Sequence, residues 1–487
     1  GCACLGARRL PVAPRPARAL PSAMWRTISK AAAAGVGFAA AYHLCPDPPH
    51  DPSKDLGLVP GFGAAPPPSR AELLAAARAH GKYDVVIVGG GASGAGAALD
   101  AASRGLSVAL VEGEDFGAGT SSRSTKLVHG GVRYLEKAFF QLDLGQLQLV
   151  REATRERHTM LRNAPHLAAP LPTLTPCYKA WELPYYWAGL KAYDFVAGGR
   201  GLTASRLVWP SEARQALPTL ALGREEEAGG GELVGAVQYY DGQFDDARYN
   251  VALAVTAARL GAHVVNHCTA ESVLRDGEGR VVGVVARDAL DPRAPPLELR
   301  ASVVVNCGGP LTDALRRLSD PSASPLVTPA AGTHVTLPAW AAPGAAGMVV
   351  PKTADGRVIF LLPWLGRVVA GTTDHPSEPT MRPRPTAGEV DFILSAVAPY
   401  LAVGVGREHV LSAWAGIRPL AADPSKAGGT ENLTRDHVIC AEKDGTVLVA
   451  GGKWTTYRRM AEEAVDAAVA AGGLEAKGKC VTEHLSL

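Results

Sequence analysis

The clearest hydrophobic pattern in the chain lies between residues 83 and 112. Residues 85–88 form an apolar, β-branched run without polar alternation, which is typical of a parallel strand buried on both faces. A glycine cluster, a stretch of small residues with helical character and a second apolar run at 107–111 follow. This order of strand, helix and strand predicts a β-α-β unit of the Rossmann type, which binds a dinucleotide.

The glycines of this unit have the G-x-G-x-x-G spacing of a phosphate-binding turn. The first allows a tight turn, the second leaves room for the pyrophosphate, and the third lets helix and strand pack closely. The free N–H groups at the helix start attract phosphate. An acid ending the second strand binds ribose hydroxyls and repels a 2′-phosphate, which favours FAD or NAD over NADP. The predicted cofactor-binding residues here are Asp84, Gly89, Gly90, Gly91, Ala92, Ser93, Gly94 and Glu112.

A polar segment soon after the unit supplies further candidate ligands. Residues 120–126 offer hydroxyls and bases that suit a pyrophosphate or a cofactor ring. Residues 129–134, His-Gly-Gly-Val-Arg-Tyr, combine close backbone approach with an arginine for an anion, although a simple turn explains them equally well. The candidate cofactor ligands in these two segments are Ser121, Ser122, Lys126, His129 and Gly131.

The middle of the chain is predicted to return to the dinucleotide domain. Residues 239–265 indicate a helix followed by a strand, and residues 281–286 and 297–305 indicate two more strands. Gly308 follows the last of these strands at its carboxyl end, where ligands approach a doubly wound sheet. We therefore include Gly308 among the cofactor ligands.

A second sheet is predicted from shorter apolar runs. Residues 334–337, 357–362 and 367–370 indicate strands of an antiparallel sheet that carries the substrate pocket. Residues 412–420 indicate a strand that ends in Arg418. We interpret the Pro-rich and aromatic-rich stretch 165–210 as a core or packing surface.

The last glycine turn lies in residues 447–458, which indicate a strand, a turn and a helix. The N-terminus of that helix is expected to face the ligand cleft, where it stabilises negative charge. Gly452, Thr455 and Thr456 are the cofactor-binding candidates of this turn.

Composition narrows the class of protein. The chain has 487 residues, 47% hydrophobic and 20% charged, which suits a soluble protein with two sizeable domains. A formal net charge of +2 gives no indication of nucleic-acid binding. The eight cysteines show no zinc spacing and no disulfide framework, so we expect no metal site and small, buried cysteines.

The N-terminus differs from the rest of the chain. Residues 1–46 contain arginines and lysine but no Asp or Glu, which resembles a mitochondrial transit peptide. A disordered Pro/Ala/Arg tail is the alternative. Residues 31–44 are too short to span a bilayer unaided. We predict a targeting segment over 1–45 and a linker over 46–82.

Two distant motifs point to one family. Residues 88–105, VGGGASGAGAALDAASRG, resemble the FAD-binding signature of FAD-dependent glycerol-3-phosphate dehydrogenases, and residues 451–461, GGKWTTYRRMA, resemble that family's second signature. The intervening SSRSTKLVHGGVRYLEKA is similar to the mitochondrial members. The resemblance, which extends over about residues 83–471, implies a mitochondrial enzyme on the outer face of the inner membrane. It would oxidise sn-glycerol 3-phosphate to dihydroxyacetone phosphate and pass electrons through FAD to ubiquinone.

The resemblance also implies an architecture, of mixed α/β and α+β class. A discontinuous Rossmann-like FAD-binding domain is expected beside a mostly antiparallel substrate-binding domain. The boundaries we predict are 83–165, 237–329 and 405–475 for the first domain, 166–236 and 330–404 for the second, and 476–487 for a tail.

The substrate and the reaction suggest further site residues. A phosphate dianion is best held by several cations, bidentate arginine above all. Positions that match the family motifs imply Arg133, Tyr134, Arg418, Arg435 and Lys453 as substrate ligands, although single bases can also be surface ion pairs. Hydride transfer from C2 to flavin requires a base for the hydroxyl proton. His334 is one candidate and His129 is another, unless either is a structural histidine, and Arg418 is also included among the catalytic residues.

Other functions stay open at this point. Mitochondrial members of the family carry a further C-terminal helical domain and calcium-binding EF-hands, a pattern that residues 477–487 do not continue. Calcium control is therefore not expected, and membrane docking, quinone binding and dimerisation are uncertain from the sequence. A flavin oxidase of amines or amino acids and a flavin-binding protein without turnover are the alternatives. The number of bases argues against the oxidase, because a carboxylate substrate needs fewer cations than a phosphate.

Overall fold

The computed structural model describes residues 66–131, 144–224, 230–351, 353, 357–422, 433–434 and 437–487. The predicted targeting segment and three predicted substrate ligands, Arg133, Tyr134 and Arg435, lie outside these residues. Within them the chain folds around an eight-stranded and an eleven-stranded sheet, with a small two-stranded hairpin. Over the same residues, no helix combines the length and the apolar character needed to cross a membrane.

The α-helices of the described chain alternate with strands in its first half and become sparser in its second half. In chain order they are α1 Arg70–Ala79, α2 Ala92–Ser103, α3 Leu144–Asn163, α4 Glu182–Ala197, α5 Pro210–Ala216, α6 Asp246–Arg259, α7 Thr312–Ser319, α8 Ala387–Val397 and α9 Tyr457–Gly472.

The strands vary in length from two to twelve residues. The first half of the chain forms β1 Tyr83–Val88, β2 Val108–Val111, β3 Leu127–Val128, β4 Ala168–Cys177, β5 Arg206–Val208, β6 Gly223–Arg224, β7 Gly231–Glu232, β8 Gly235–Phe244, β9 His263–Val265, β10 Cys268–Arg275, β11 Val281–Asp288 and β12 Leu297–Asn306. The second half forms β13 Val327–Pro338, β14 Gly347–Val350, β15 Ile359–Trp364, β16 Arg367–Gly371, β17 His375–Pro376, β18 Ser412–Ala422, β19 Leu433–Thr434, β20 His437–Ala441 and β21 Val447–Gly451.

The eight-stranded sheet has the parallel centre that the first apolar runs predict. Its order is β10-β11-β12-β1-β2-β9, and β21 pairs with the carboxyl end of β12 and with β20. Strands β12, β1, β2 and β9 run parallel, whereas β10 and β11 form an antiparallel hairpin at one edge. The central strands are apolar at nearly every position because both of their faces are covered, with Val86 and Ile87 fully buried.

The eleven-stranded sheet is mostly antiparallel, and the predicted fold class is confirmed. Its order is β19-β18-β13-β16-β15-β14-β4-β8-β3, with one parallel pair between β14 and β4. Strand β18 pairs with β13 along ten positions, from Thr336 opposite Ser412 to Val327 opposite Ala421. Residues 412–422 therefore belong to this sheet, although we predicted residues 405–475 to be part of the FAD domain.

Part of the predicted linker is a helix. Helix α1 begins with a capping box, in which Ser69 Oγ accepts from the Glu72 N–H at 3.3 Å and Glu72 Oε2 accepts from the Ser69 N–H at 2.7 Å. Leu73 and Ala77 are buried in the core of the first sheet. Arg70 also pairs with Asp288 at 2.7 Å. The Pro-rich and Gly-rich residues before α1 concealed this signal in the sequence.

The C-terminal residues also pack into the first domain. Leu485 is buried in its core, and the Asn163 side-chain amide donates to the carbonyl oxygen of Thr482 at 2.9 Å. Arg155 pairs with Glu483 at 2.7 Å. The segment 476–487, which we predicted as a tail, is thus fixed to α3.

A buried ion pair connects helix α3, strand β8 and helix α4 next to Gly130. Arg157 of α3 meets Asp241 of β8 at 2.5 Å, and each side chain is 1% exposed. The Tyr193 hydroxyl of α4 donates to the same carboxylate at 2.9 Å, and so does the Gly130 N–H at 3.3 Å. Because its charge is matched and hydrogen-bonded, this pair is tolerated in the interior.

Replacement of Asp241 by Asn is expected to lower the thermal unfolding midpoint strongly. The change leaves the Arg157 cation buried without a counter-charge, a loss of roughly 3–5 kcal/mol for pairs of this kind. Scanning calorimetry of the two proteins measures the shift. The matched control is Glu271→Gln at the surface pair with Arg287, both about 40% exposed, which should hardly move the midpoint. Equal shifts for the two variants would contradict the assignment.

Candidate functional site: a dinucleotide cradle facing a histidine and an arginine

The turn after β1 exists only because it is built from glycine. Gly89 has φ +107°, and a Cβ there would lie 2.5 Å from the Cys307 carbonyl oxygen after β12. A Cβ at Gly94 would overlap the carbonyl oxygen of Gly89. Strand β1, helix α2 and the loop after β12 therefore approach one another at backbone distance, and Gly308 lies directly after Cys307 in that loop.

The start of α2 is surrounded by hydrogen-bonding groups from two other segments. Glu112 accepts from the N–H of Gly90 at 2.6 Å and from that of Glu114 at 2.9 Å. Ser121 Oγ accepts from the N–H of Ala92 at 2.9 Å. Burial raises the pKa of Glu112, while these two N–H groups oppose that shift. The start of α2 thus places glycine backbone beside the Glu112 carboxylate and the Ser121 hydroxyl, which accept from the N–H groups of Gly90 and Ala92.

The last glycine turn contacts the segment around Ser121, more than three hundred residues earlier, and Ser121 in turn bonds the start of α2. The Trp454 indole N–H donates to the carbonyl oxygen of Ser121 at 2.8 Å, and Thr455 Oγ1 donates to that of His129 at 3.4 Å. Gly452, at φ +78°, packs against Met460 so closely that a Cβ would overlap its sulfur. Both predicted glycine motifs therefore lie on one surface.

Three predicted cofactor ligands have other partners in the structure. Asp84 lies at the amino end of β1, opposite the glycine turn, and its carboxylate accepts from the Ser107 N–H at 2.7 Å. Lys126 is buried, and its amine donates to Asp246 and to the Ser122 carbonyl oxygen, both at 2.6 Å. The Ser122 hydroxyl turns back to Gly119. These positions do not support cofactor contact, because the first is at the wrong end of the strand and the others hold the loop together.

One face of the second sheet forms a wall against this loop. His334 of β13 lies opposite Trp414 of β18, and Arg418 follows four residues later on the same strand. Since alternate residues share a face, these three side chains project to the same side. Thr120 Oγ1 donates to the Ile417 carbonyl oxygen at 2.6 Å, which seats the loop on β18. Thr333, on the opposite face, bonds α8 instead.

His334 is the most enclosed titratable group of this wall. Its side chain is 2% exposed and stacks on Trp414, with ring centroids 4.2 Å apart and planes 15° from parallel. Nε2 is hydrogen-bonded to Thr125 Oγ1 at 2.9 Å, whereas the buried Nδ1 has no partner within the part of the chain that the structure describes. Burial, reinforced by the positive charges of Arg418 and Lys126, lowers the pKa of His334 well below its usual value. The imidazole is therefore neutral at physiological pH.

Arg418 is held in place yet open to solvent. Its guanidinium donates to Asp374 at 3.1 Å and to Thr372 Oγ1 at 3.2 Å, and about a third of the side chain is exposed. A Cβ on the neighbouring Gly332 would lie 2.6 Å from its nitrogens, so glycine makes room for it. The guanidinium therefore lies at a partly exposed position on this face of the sheet. The backbone of Lys453, another predicted ligand, lies in the turn between Gly452 and Trp454.

The structure brings most of the predicted cofactor ligands to one surface. Backbone or side chains of the following residues border the two glycine turns or the loop between them: Gly89, Gly90, Gly91, Ala92, Ser93, Gly94, Glu112, Ser121, His129, Gly131, Gly308, Gly452, Thr455 and Thr456. Sequence reasoning did not assign Thr125, Trp414 and Asp374, which contact His334 or Arg418. The alternation of Trp414 with Arg418 along one strand was the available signal.

These features fit a dinucleotide cofactor such as FAD. A Cβ at Gly89, Gly90 or Gly94 would lie less than 3 Å from other protein atoms, so this turn presents bare backbone where the pyrophosphate of a dinucleotide would approach. Glu112 stands at the carboxyl end of β2, where a ribose is bound in this fold. The buried Nδ1 of His334, which is unpaired among the described residues, leaves a hydrogen-bonding position on the adjacent wall.

Comparison with known proteins agrees with this geometry. The family model described as FAD dependent oxidoreductase (DAO) matches residues 84–458. The mitochondrial glycerol-3-phosphate dehydrogenase of Arabidopsis thaliana is 50% identical over 431 residues, which cover 88% of this chain and 67% of that protein. The mitochondrial glycerol-3-phosphate dehydrogenase of Homo sapiens is 46% identical over 84% of this chain, which spans only 56% of that protein.

A solved structure gives the same result. The glycerol-3-phosphate dehydrogenase of Bacillus halodurans, complexed with FAD, superposes with a TM-score of 0.65 at 30% identity, covering 85% of this chain and 69% of that one. The resemblance drawn from the two glycine motifs is confirmed. The chain belongs to the FAD-dependent oxidoreductases and, within them, to the glycerol-3-phosphate dehydrogenase family.

Proposed function

We propose that this chain oxidises sn-glycerol 3-phosphate to dihydroxyacetone phosphate, with FAD as hydride acceptor and ubiquinone as the final acceptor of the electrons. One observation carries the proposal. Loop 120–126 contacts Trp454 of the second glycine motif and, through Thr125, the neutral His334 of the substrate wall. The cofactor cradle and an acid–base group are thus joined by a single loop. The identity of the proposed substrate is taken from the names of the relatives.

The glycine turns are the part of the site that would hold FAD. The N–H groups at the start of α2 suit its pyrophosphate, Glu112 its ribose, and the turn at Gly452 its isoalloxazine side. When bound, FAD supplies an acceptor for the hydride from C2 of the substrate. The remaining steps belong to the residues of the chain.

The phosphate of the substrate needs fixed positive charge. Arg418 offers a planar, bidentate donor that Asp374 and Thr372 already orient. Arg133, Arg435 and Lys453 are proposed as its companions, on the basis of the family motifs. When its phosphate is held in this way, the substrate is fixed at one end. Its C2 atom and C2 hydroxyl would then face His334 on one side and the glycine turn after β1 on the other.

His334 is proposed as the base. If Nε2 carries the proton and donates to Thr125, the Nδ1 lone pair is left to accept the proton of the C2 hydroxyl. Stacking on Trp414 fixes the ring, and burial keeps it neutral. Enclosure of this kind excludes water and strengthens the interaction with the charge that develops on the substrate oxygen.

The cellular setting is proposed from the relatives. Their names place them in mitochondria, and the acid-free residues 1–46 of this chain suit import into that organelle. Because ubiquinone is dissolved in lipid, we also propose that the chain associates peripherally with the outer face of the inner membrane.

The half-reaction gives the direct test of this function. The purified chain should be yellow, and anaerobic addition of sn-glycerol 3-phosphate should bleach its flavin absorption, because hydride transfer reduces the cofactor. Glycerol, which lacks the phosphate, is the control and should leave the spectrum nearly unchanged. A flavin that stays oxidised with glycerol 3-phosphate would rule the proposal out. Faster reoxidation by a soluble quinone than by oxygen is expected for the second half-reaction.

Substitution of Arg418 by Ala should weaken substrate binding and leave FAD in place. Loss of a charged, bidentate donor of roughly 1.5–3 kcal/mol predicts a KM raised by about tenfold to a hundredfold. Steady-state kinetics and the flavin-to-protein ratio measure the two effects. Arg367→Ala, at an exposed arginine of the same sheet, should change neither. Loss of FAD from the Arg418 variant would instead make this arginine structural.

Substitution of His334 by Gln should lower kcat by about 10²–10⁴-fold, as expected for removal of a general base. The native kcat/KM should fall on the acid side only as His334 becomes protonated. Because its pKa is lowered, that fall should lie below the ordinary histidine value of about 6.5. The acid limb should disappear in the variant, and His409→Gln, on a remote surface turn, should retain it. A native acid limb that persists in the His334 variant would point to another base.

A further inference from the structure

The short segment 372–374, between β16 and β17, surrounds one side of the Arg418 guanidinium. Thr372 and Asp374 accept from it through their side chains, at 3.2 Å and 3.1 Å. Between them, the Thr373 carbonyl oxygen accepts from both terminal nitrogens of the guanidinium at 3.3 Å. All three residues of the segment therefore contact Arg418, and the direction of the guanidinium depends on where this segment is held.

Thr373 is fixed on its other side by β13 and α8. It is buried, and its Oγ1 accepts from the Thr333 N–H at 2.9 Å and donates to Glu389 Oε1 at 2.7 Å. The Thr373 N–H donates in turn to the Thr333 carbonyl oxygen at 3.3 Å. A buried hydroxyl whose donor and acceptor are both engaged has a defined orientation, so Thr373 has little freedom to shift.

Glu389, in the first turn of α8, is the charged group behind this arrangement. Its Oε1 accepts from the hydroxyls of Thr373 and Thr333 at 2.7 Å and 2.9 Å and lies 3.1 Å from His375 Nδ1. Burial alone would raise the pKa of Glu389, but the hydrogen bonds from Thr386, Thr373 and Thr333 lower it overall. The carboxylate is therefore ionised at physiological pH, and hydrogen bonds to an ionised acceptor are stronger than neutral ones.

The other oxygen of Glu389 has an ordinary structural role. Oε2 accepts from the Thr386 N–H at 2.8 Å and from its hydroxyl at 2.9 Å, which completes the capping box of α8. A capping box requires one carboxylate oxygen only. The second oxygen lies among hydroxyls from β13 and the segment 372–374, and so connects the helix to the residues that surround Arg418.

We propose that Glu389 is a positioning residue for substrate binding, which acts through Thr373 to hold the segment 372–374 where it directs Arg418 toward the phosphate of the substrate. The inference rests on the proposed function, because Arg418 is the phosphate ligand proposed there. Glu389 lies behind the segment that contacts the guanidinium, so its effect on the substrate is exerted entirely through other residues.

The anaerobic half-reaction separates binding from hydride transfer. Glu389→Ala should raise the glycerol 3-phosphate concentration for half-maximal bleaching rate about tenfold, because a misdirected guanidinium binds phosphate more weakly. The rate at saturation should stay within about twofold of the native rate, since Trp414 and Thr125 hold His334 independently. Thr373→Val, which removes the linking hydroxyl, should give the same result. Glu389→Gln keeps one oxygen acceptor and should recover most of the binding.

Loss of the helix cap alone should not have this effect. Thr386→Ala removes the capping hydroxyl of α8 and leaves the contacts of Glu389 Oε1 with Thr333 and Thr373 in place. This variant should have a lower thermal unfolding midpoint, as cap deletions do, with an unchanged half-maximal concentration. Equal increases of that concentration in Thr386→Ala and Glu389→Ala would overturn the proposal, because the effect would then arise from α8 as a whole.

The route through the guanidinium is tested in a double-mutant cycle. In a chain that carries Arg418→Ala, the further change Glu389→Ala should hardly alter the half-maximal concentration, because the group that Glu389 positions is absent. An additional increase as large as that in the native background would contradict the proposal and assign Glu389 an effect independent of Arg418.

Hydrogen exchange followed by mass spectrometry needs no substrate and therefore distinguishes the two proposals. The amides of residues 372–375 should exchange faster in Glu389→Ala than in the native chain, and at the native rate in Thr386→Ala. If the native protein is not bleached but this exchange pattern is found, the proposed substrate is rejected and Glu389 still positions Arg418. Native bleaching, with unchanged exchange and an unchanged half-maximal concentration in Glu389→Ala, would reject the positioning role and leave the proposed function standing.

Discussion

The close approach of three backbone segments at Gly89, Gly94 and Cys307 is the constraint on which the rest of the site depends. A side chain at either glycine would push α2 or the loop after β12 away from β1. The N–H groups of α2, the carboxylate of Glu112 and the hydroxyl of Ser121 meet only because that separation is kept. The loop after Ser121 then extends the contact to the second sheet, where it seats β18 and reaches His334 through Thr125.

Sequence patterns predict the first sheet well for a physical reason. Its central strands are covered on both faces, so they show as apolar runs, and the glycine spacing between them has almost no alternative use. Helix 70–79 was missed because the Pro-rich and Gly-rich residues before it concealed its capping box, and residues 476–487 were missed because their burial depends on distant partners such as Asn163. Strand β18 lies in the second sheet although residues 405–475 were predicted as part of the FAD domain, because its pairing with β13 is not encoded in its own residues.

The site residues also divide into those that act through local geometry and those whose role depends on distant partners. Gly89, Gly94 and Glu112 act through local geometry and were predictable. Lys126 looked like an anion ligand, but its partner Asp246 lies 120 residues away and turns it into a support for the loop. The stacking of His334 on Trp414 depends on strand register, which sequence alone rarely defines. His334 itself was predicted as a candidate base from its place on a strand of the second sheet, whereas its neutral state follows from burial that only the fold reveals.

The hydrogen bond between Trp454 and Ser121 has a consequence for biosynthesis. The cradle at residues 89–94 leaves the ribosome early, but the turn that closes it arrives only near residue 454. During most of its translation, a nascent chain therefore contains only the first part of the cofactor site, and β12 is not yet paired with β21. The closed form of the cradle therefore belongs to chains that have been translated beyond residue 454, and not to their first residues alone.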